Sequence, residues 1–293
     1  MANLKEIRNR IASVRSTQKI TSAMKMVSAA KLRRTQNKII NLRPYANHLS
    51  YILNNLLISK NEDQQHPLEE VRNPERILII LITSNKGLCG GFNNAVIKET
   101  ERTLLNVYRQ QHQQKNVSFL CIGKKAVDYV QKKKYPLIGI HSDLTDNCTF
   151  ENVSLLAEEI MQKFISKEYD KVEVIFNRFK NAATQVLTNQ TILPLTHEIE
   201  KDNKQKIDFI FEPKKEEIYD QMIPLFIKVT LYRFILNSVV SEHGARMTAM
   251  HQATENAKDL IKDLNLTYNK VRQAAITNAL IEMVSGAESL KNS

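Results

Sequence analysis

Apolar and polar positions along the chain follow three patterns in turn. In residues 1–58, Leu4, Ile7, Ile11 and Val14 step by three and four, which places them on one face of a helix. Asn3 with Glu6 three positions on has the form of a capping box. After Gln18 the apolar stripe is expected to shift to Ile20, Met24 and Val27, and Tyr45, Leu49, Ile52, Leu53 and Leu56 then resume it. Pro44 is expected to kink or interrupt this helix. Residues 59–75 are polar, hold two prolines and carry mixed charge, so they read as a linker.

From Arg76 the period changes. The spacing predicts buried strands at Ile77–Thr83 and Val117–Gly123, a short strand near Leu137–Ile140, and strands at Lys171–Phe176 and Gln185–Leu193. Helices are predicted at Asn93–Gln111, Lys124–Lys133 and Glu151–Ser166, and Ile207–Phe211 is a last apolar run. Strand and helix alternating in this way predict a Rossmann-like, largely parallel α/β domain over 76–212. In 213–293, Pro213, Glu216 and Glu217 suit the first turn of a helix. Met250, Ala253, Ala257, Leu260, Leu264, Thr267, Val271 and Ala274 predict a heptad seam. Pro224 should kink this helix, and Gly244 should weaken it by ~1 kcal/mol relative to Ala. The two terminal helices are expected to pair as a long antiparallel coiled coil, with the α/β domain inserted between them and the longer C-terminal helix overshooting its partner.

Composition sharpens this picture in two ways. With 7 Gly and 7 Pro in 293 residues, an all-β sandwich is disfavoured. No run of 18 apolar residues occurs and the strongest, Ile77–Ile82, has six, so no membrane-spanning helix is expected. The N-terminus lacks the apolar core of a signal peptide, and Cys89, Cys121 and Cys148 read as reduced thiols. The net charge is +11, and residues 1–45 hold eleven Lys and Arg against one acid, Glu6. Such a segment suits a solvated helix face, a nucleic-acid arm, an anionic membrane surface or an acidic protein partner.

Chemistry is sparse. The loop Thr83-Ser84-Asn85-Lys86-Gly87-Leu88-Cys89-Gly90-Gly91-Phe92-Asn93 joins a strand to a helix, as phosphate-cradling loops do. It lacks the Lys-Ser or Lys-Thr pair of a P-loop and the Gly-x-Gly-x-x-Gly of dinucleotide folds, so it reads as a packing turn. Cys89 has no marked base among His112, His141 and His197, and His243 and His251 are eight positions apart on a helix, too far for one metal. No catalytic residue, cofactor or metal is therefore expected.

Three stretches resemble the gamma subunit of the F-type ATP synthase. They are Ile7–Val14 with Thr17–Val27, the loop Ser84–Asn93, and a C-terminal set. That set holds Ser241-Glu242, Ala245–Met250, Ala253, Asn256-Ala257, Leu264, Tyr268-Asn269, Arg272–Thr277 and Gly286-Ala287. The resemblance implies a central-stalk rotor that couples proton flow to ATP synthesis or hydrolysis without a catalytic site of its own. It implies alpha and beta subunits around the terminal helices, and an epsilon subunit and c-subunit ring at the α/β domain. It further implies beta-lever contacts at Lys19, Ile20, Met24, Lys25, Arg246, Arg272, Gln273 and Thr277. A bearing tip would run from about Ala279 to Ser293, and a foot-region loop would hold Lys86, Gly87, Cys89, Gly90 and Gly91. The missing paired cysteines of the chloroplast form argue against thiol gating. The absence of a transit peptide favours a bacterial protein, peripheral on the cytoplasmic face of the inner membrane. Two other readings stay open on the residues alone: a nucleic-acid-binding coiled coil and an α/β enzyme with helical extensions.

Overall fold

A computed structural model describes residues 4–58, 66–196, 212 and 215–291. The Asn3 cap, residues 59–65, His197, the run Ile207–Phe211, Pro213 and the last two tip residues lie outside the described residues. The elements in order are α1 (Leu4–Ile58), β1 (Ile77–Ile82), α2 (Phe92–Asn106), α3 (Arg109–Gln113), β2 (Val117–Ile122) and α4 (Lys124–Lys133). They continue with β3 (Leu137–Ile140), α5 (Phe150–Ile165), β4 (Lys171–Phe179), β5 (Gln185–Leu193) and α6 (Lys215–Lys291). The chain divides into two compact units, one of Met1–Val27 with Met247–Ser293 and one of Ser28–Arg246.

In the first unit α1 and α6 pack together as an antiparallel pair. The α1 seam is Leu4, Ile7, Ile11, Val14, Gln18, Thr21 and Lys25, all buried or half-buried. The α6 seam is Met250, Thr254, Ala257, Ile261, Leu264, Tyr268 and Val271. Both step by alternating threes and fours, the 3.5-residue repeat of a left-handed supercoil. Thr21 and Thr254 meet with hydroxyl oxygens 2.9 Å apart. Counting outward from that pair, Gln18 lies level with Ala257, Val14 with Ile261, Ile11 with Leu264, Ile7 with Tyr268 and Leu4 with Val271. Two expectations are corrected. The α1 stripe does not shift after Gln18: Ile20 and Val27 are 58% and 57% exposed, and the seam runs through Thr21 and Lys25 instead. On α6, Leu260 is 40% exposed and Thr267 and Ala274 are exposed, while Ile261 and Tyr268 take the seam positions. An unbroken heptad geometry outweighs the polarity of single positions, and Lys25 can lay its aliphatic stem along the seam.

The second unit holds a five-stranded sheet in the order β3-β2-β1-β4-β5. β1 pairs in parallel with β2 and β4, β2 pairs in parallel with β3, and β5 pairs antiparallel with β4. This is the expected largely parallel α/β sheet, with β4 three residues longer than predicted. Ile77, Ile79 and Leu81 form one core with Val96 and Leu104 of α2 and Ala126 and Val130 of α4. Leu78, Ile80 and Ile82 are also fully buried, so both faces of the central strand are covered. α1 continues through Pro44 and α6 through Pro224 without interruption. Each proline removes one backbone bond, and the buried Ile39, Ala46 and Leu49 on one helix and Ile223, Ile227 and Val229 on the other hold the turns around it. Gly244 has a packing reason, since a Cβ there would come 3.2 Å from the Ala182 carbonyl oxygen in the β4–β5 turn. α6 contains a stretch long and apolar enough by length and composition to cross a membrane, and 56% of it is buried inside the fold, as in the core helix of a globular unit.

Candidate functional site

The glycine-rich loop leaves β1 through buried Thr83 and Ser84 and enters α2 at Phe92. Its turn is knitted by short-range bonds. The Ser84 amide donates to Asn93 Oδ1 at 3.0 Å, and the Ser84 hydroxyl donates to the Lys86 carbonyl at 2.6 Å. Asn93 Nδ2 reaches Ser84 Oγ at 2.8 Å and Cys89 Sγ at 3.3 Å. Asn85 Nδ2 donates to the Ser142 carbonyl and to Asp146. Leu88 and Gly90 take left-handed backbone conformations, φ 62° and 60°. From α6, Ala245 packs on Cys89 and Phe92.

Arg246 locks the loop from the same helix. Its guanidinium donates to the Lys86 carbonyl at 2.9 Å, to the Gly87 carbonyl at 3.2 Å and to Glu242 at 2.7 Å, one turn back. Both side chains of this ion pair are 10% exposed. Burial pushes Glu242 above the ordinary carboxylate range, and Arg246 opposes that rise without cancelling it. Burial also pushes His243 down to about 4, helped by Arg246 and Lys31, so its imidazole is neutral at physiological pH. The loop thus presents two carbonyls to an inward guanidinium, the opposite polarity to a phosphate cradle. Cys89 is buried against Ser84 and Asn93. Burial pushes Cys121 and Cys148 up to about 12, which removes them as thiolate nucleophiles. Among the described residues no three His, Cys, Asp or Glu side chains form a metal-sized cluster.

The expected partner-contact residues fall into separate places. Lys19 and Ile20 are exposed and Met24 and Lys25 half-buried on α1. Arg272, Gln273 and Thr277 are exposed on α6, past the last seam residue Val271. At ~1.5 Å per residue, the second group lies roughly 25 Å along the coiled coil from the first. Arg246 differs from both: it is 8% exposed, and the structure brings it to Lys86 and Gly87 rather than to solvent. Within the loop, Lys86, Gly87, Gly90 and Gly91 are exposed and Cys89 is buried. Sequence reasoning missed the Glu242–Arg246 pair, although an acid four positions before an arginine on a helix is a readable signal. From Arg272 to Ala287 every α6 residue is exposed, including Ile276, Leu280, Ile281, Met283 and Val284.

A family model described as ATP synthase matches residues 3–290. The ATP synthase gamma chain of Flavobacterium psychrophilum is 50% identical over 292 residues, covering 99% of this chain and 100% of that one. The chain belongs to the ATP synthase gamma-chain family. The gamma chain of Christiangramia forsetii is 47% identical over 290 residues, 99% of each chain. Among solved structures, a chain of the Tetrahymena thermophila mitochondrial ATP synthase central stalk and c-ring is 25% identical with a TM-score of 0.57. That match covers 80% of this chain and 99% of that one. A gamma chain is a non-catalytic, central-stalk subunit, so the inward-facing polarity of the glycine loop and the buried thiols fit a structural element.

Proposed function

We propose that this gamma-family chain is the turning shaft of a bacterial ATP synthase, peripheral on the cytoplasmic face of the inner membrane. In this reading alpha and beta subunits surround the coiled coil, and an epsilon subunit and the c-ring hold the α/β unit. Rotation couples proton flow to the beta catalytic sites. The observation that carries the reading is the exposed end of α6: sixteen residues beyond the seam are uncovered on every side, with Ile276, Leu280, Ile281, Met283 and Val284 52–64% exposed, as a rod inside a sleeve requires. The cationic face of α1 supports it. Arg8, Arg10, Arg15 and Lys19 are exposed, and none forms an ion pair among the described residues. They suit acidic lever loops. Lys19, Ile20, Met24, Lys25, Arg272, Gln273 and Thr277 are the proposed beta contacts. Arg246 acts indirectly, by holding the loop Lys86–Gly91, which we assign to subunit contact at the foot.

Lys19→Gln with Lys25→Gln tests the lever assignment in reconstituted enzyme. Exposed pairs contribute ~0–1 kcal/mol each, too little to decide assembly. A shift of ~1.4 kcal/mol between beta states still changes their ratio tenfold. Subunit content should stay normal while ATP-driven pumping falls several-fold relative to hydrolysis. Equal loss of assembly and pumping, or no loss of pumping, would remove the assignment.

A further inference from the structure

The second unit contains a cleft of about 620 Å³ between α1, the β4–β5 hairpin and α6. Its composition is one-sided. Arg43 of α1, Arg178 of β4, Lys180 just after it and Arg233 of α6 all line it, and among the described residues no Asp or Glu does. None of these four cations has an ion pair or a side-chain hydrogen bond among the described residues. Arg233 is half-buried, and burial, with no carboxylate beside it among the described residues, pushes its guanidinium below the ordinary arginine range. An unpaired charge in that position is costly to the fold unless an anion arrives.

The rest of the wall is apolar. Phe179, Leu42 and Val186 line it half-buried, backed by Phe176 and Phe234, which are buried and stacked on each other with centroids 4.6 Å apart. The asymmetry follows from simple spacings. Phe176 and Arg178 share one face of β4, Lys180 follows just past its end, and Val186 pairs with Arg178 across the hairpin. Ile39, Leu42, Arg43, Ala46 and Asn47 share one side of α1. Asn47, Gln190 and Asn237 add amides.

We propose that this cleft binds a nucleoside di- or triphosphate, with the phosphates among Arg43, Arg178, Lys180 and Arg233 and the base against the half-buried Phe179, Leu42 and Val186. The volume is that of a small-molecule pocket. Four unpaired cations match a polyphosphate, Arg being suited to bidentate phosphate contact. A base needs an apolar surface flanked by amides, and the cleft supplies both. Two acyl chains would need a longer apolar trough without the three amides, which argues against a lipid. The site is distinct from the glycine loop and gives the chain a ligand without giving it a reaction.

Calorimetry on the full-length chain at low salt tests this with ATP, ADP, tripolyphosphate and adenosine. ATP and ADP should bind, tripolyphosphate should bind at least ~10-fold more weakly than ATP, and adenosine more weakly still. Arg178→Met and Arg233→Met should each weaken ATP ~10-fold, the loss of one charge-assisted contact. Lys86→Ala in the glycine loop should leave binding unchanged. Thermal melting checks the fold of each variant; if Arg233→Met does not fold, exposed Arg178→Met carries the test. No binding up to about 1 mM ATP, a weak limit equivalent to ~4 kcal/mol, would overturn the proposal. So would equal affinity for ATP and tripolyphosphate, loss of binding in Lys86→Ala, or tighter binding of a polyglutamate peptide than of ATP.

Discussion

Replacing Arg246 by Ala isolates the buried anchor between α6 and the glycine loop. The change leaves the Glu242 carboxyl, 10% exposed, without its cation. Breaking a buried pair by removing one partner typically costs ~3–5 kcal/mol. The freed Lys86 and Gly87 carbonyls belong to exposed residues and can turn to water, so they add little. The pH dependence has a definite sign. Burial, with Asp146, already holds Glu242 above the ordinary carboxylate value, and Arg246 is the largest influence that lowers it, with Lys31 a smaller one. Without Arg246 the folded form binds that proton still more tightly than the unfolded chain does. The variant's stability is then greatest below the unfolded value and falls as pH rises through the raised folded one. Its deficit against wild type should be largest near pH ~8 and shrink towards pH ~5. Urea denaturation of the full-length chain followed by circular dichroism at both pH values measures it. Glu242→Leu combined with Arg246→Met removes both charges and should recover most of the loss, because no unpaired carboxylate remains. A deficit under ~1 kcal/mol, one equal at both pH values, or a double variant no better than Arg246→Ala would refute the reasoning.

Gly123→Ala should prevent normal folding. Gly123 has φ +102°, and an added Cβ would lie 2.2 Å from the Thr83 carbonyl oxygen, which is backbone and cannot swing away. A loss of roughly 3 kcal/mol or more is expected, seen as poor soluble yield and a lower urea midpoint, and an unchanged midpoint would count against it. Thr21→Val and Thr254→Val test the seam pair. Each threonine can fall back on its own helix, at the Gln18 or the Met250 carbonyl, so single changes should cost only about 1 kcal/mol. The double change should cost less than the two singles added, and strict additivity in the cycle would show that the hydroxyls do not interact.

Periodicity made the architecture legible because it reports what each element does along its own length. Ile77–Ile82 is buried on both faces of a sheet, and an unbroken apolar run is the mark of that environment. The heptad spacing of Leu4, Ile7, Ile11 and Val14 gave the start of the coiled coil for the same reason. The reading failed where a seam position is polar. Hydrophobicity alone moved the stripe to Ile20 and Val27, although the 3.5-residue repeat continued through Thr21 and Lys25. The site residues were legible only in part, because exposure and partners come from tertiary contact. Arg246 looks like any surface arginine until Lys86 and Gly87, some 160 positions away, supply its acceptors. The cleft was invisible for the same reason: its four cations come from three distant stretches of chain, and no local pattern marks them.

The polar seam residues bear on what a shaft must do. A seam made only of Leu and Ala would tolerate sliding by one heptad, because each layer would meet a similar layer. Here the register is marked. Moving the helices one heptad in one direction would set Thr21 level with Ile261 and Gln18 level with Leu264. Moving them the other way would set Thr254 level with Val14 and Gln18 level with Met250. Either slip separates the Thr21–Thr254 pair, leaving each hydroxyl only its own-helix carbonyl, and sets Gln18 against a larger side chain than Ala257, costing about 1 kcal/mol for the lost hydroxyl contact. A single polar core position is known to fix coiled-coil register at some expense in stability. A shaft that turned under load with sliding helices would lose part of its rotation as internal slip. On the rotor reading, the polarity that misled the sequence pattern is the feature that keeps both ends of the coiled coil moving together.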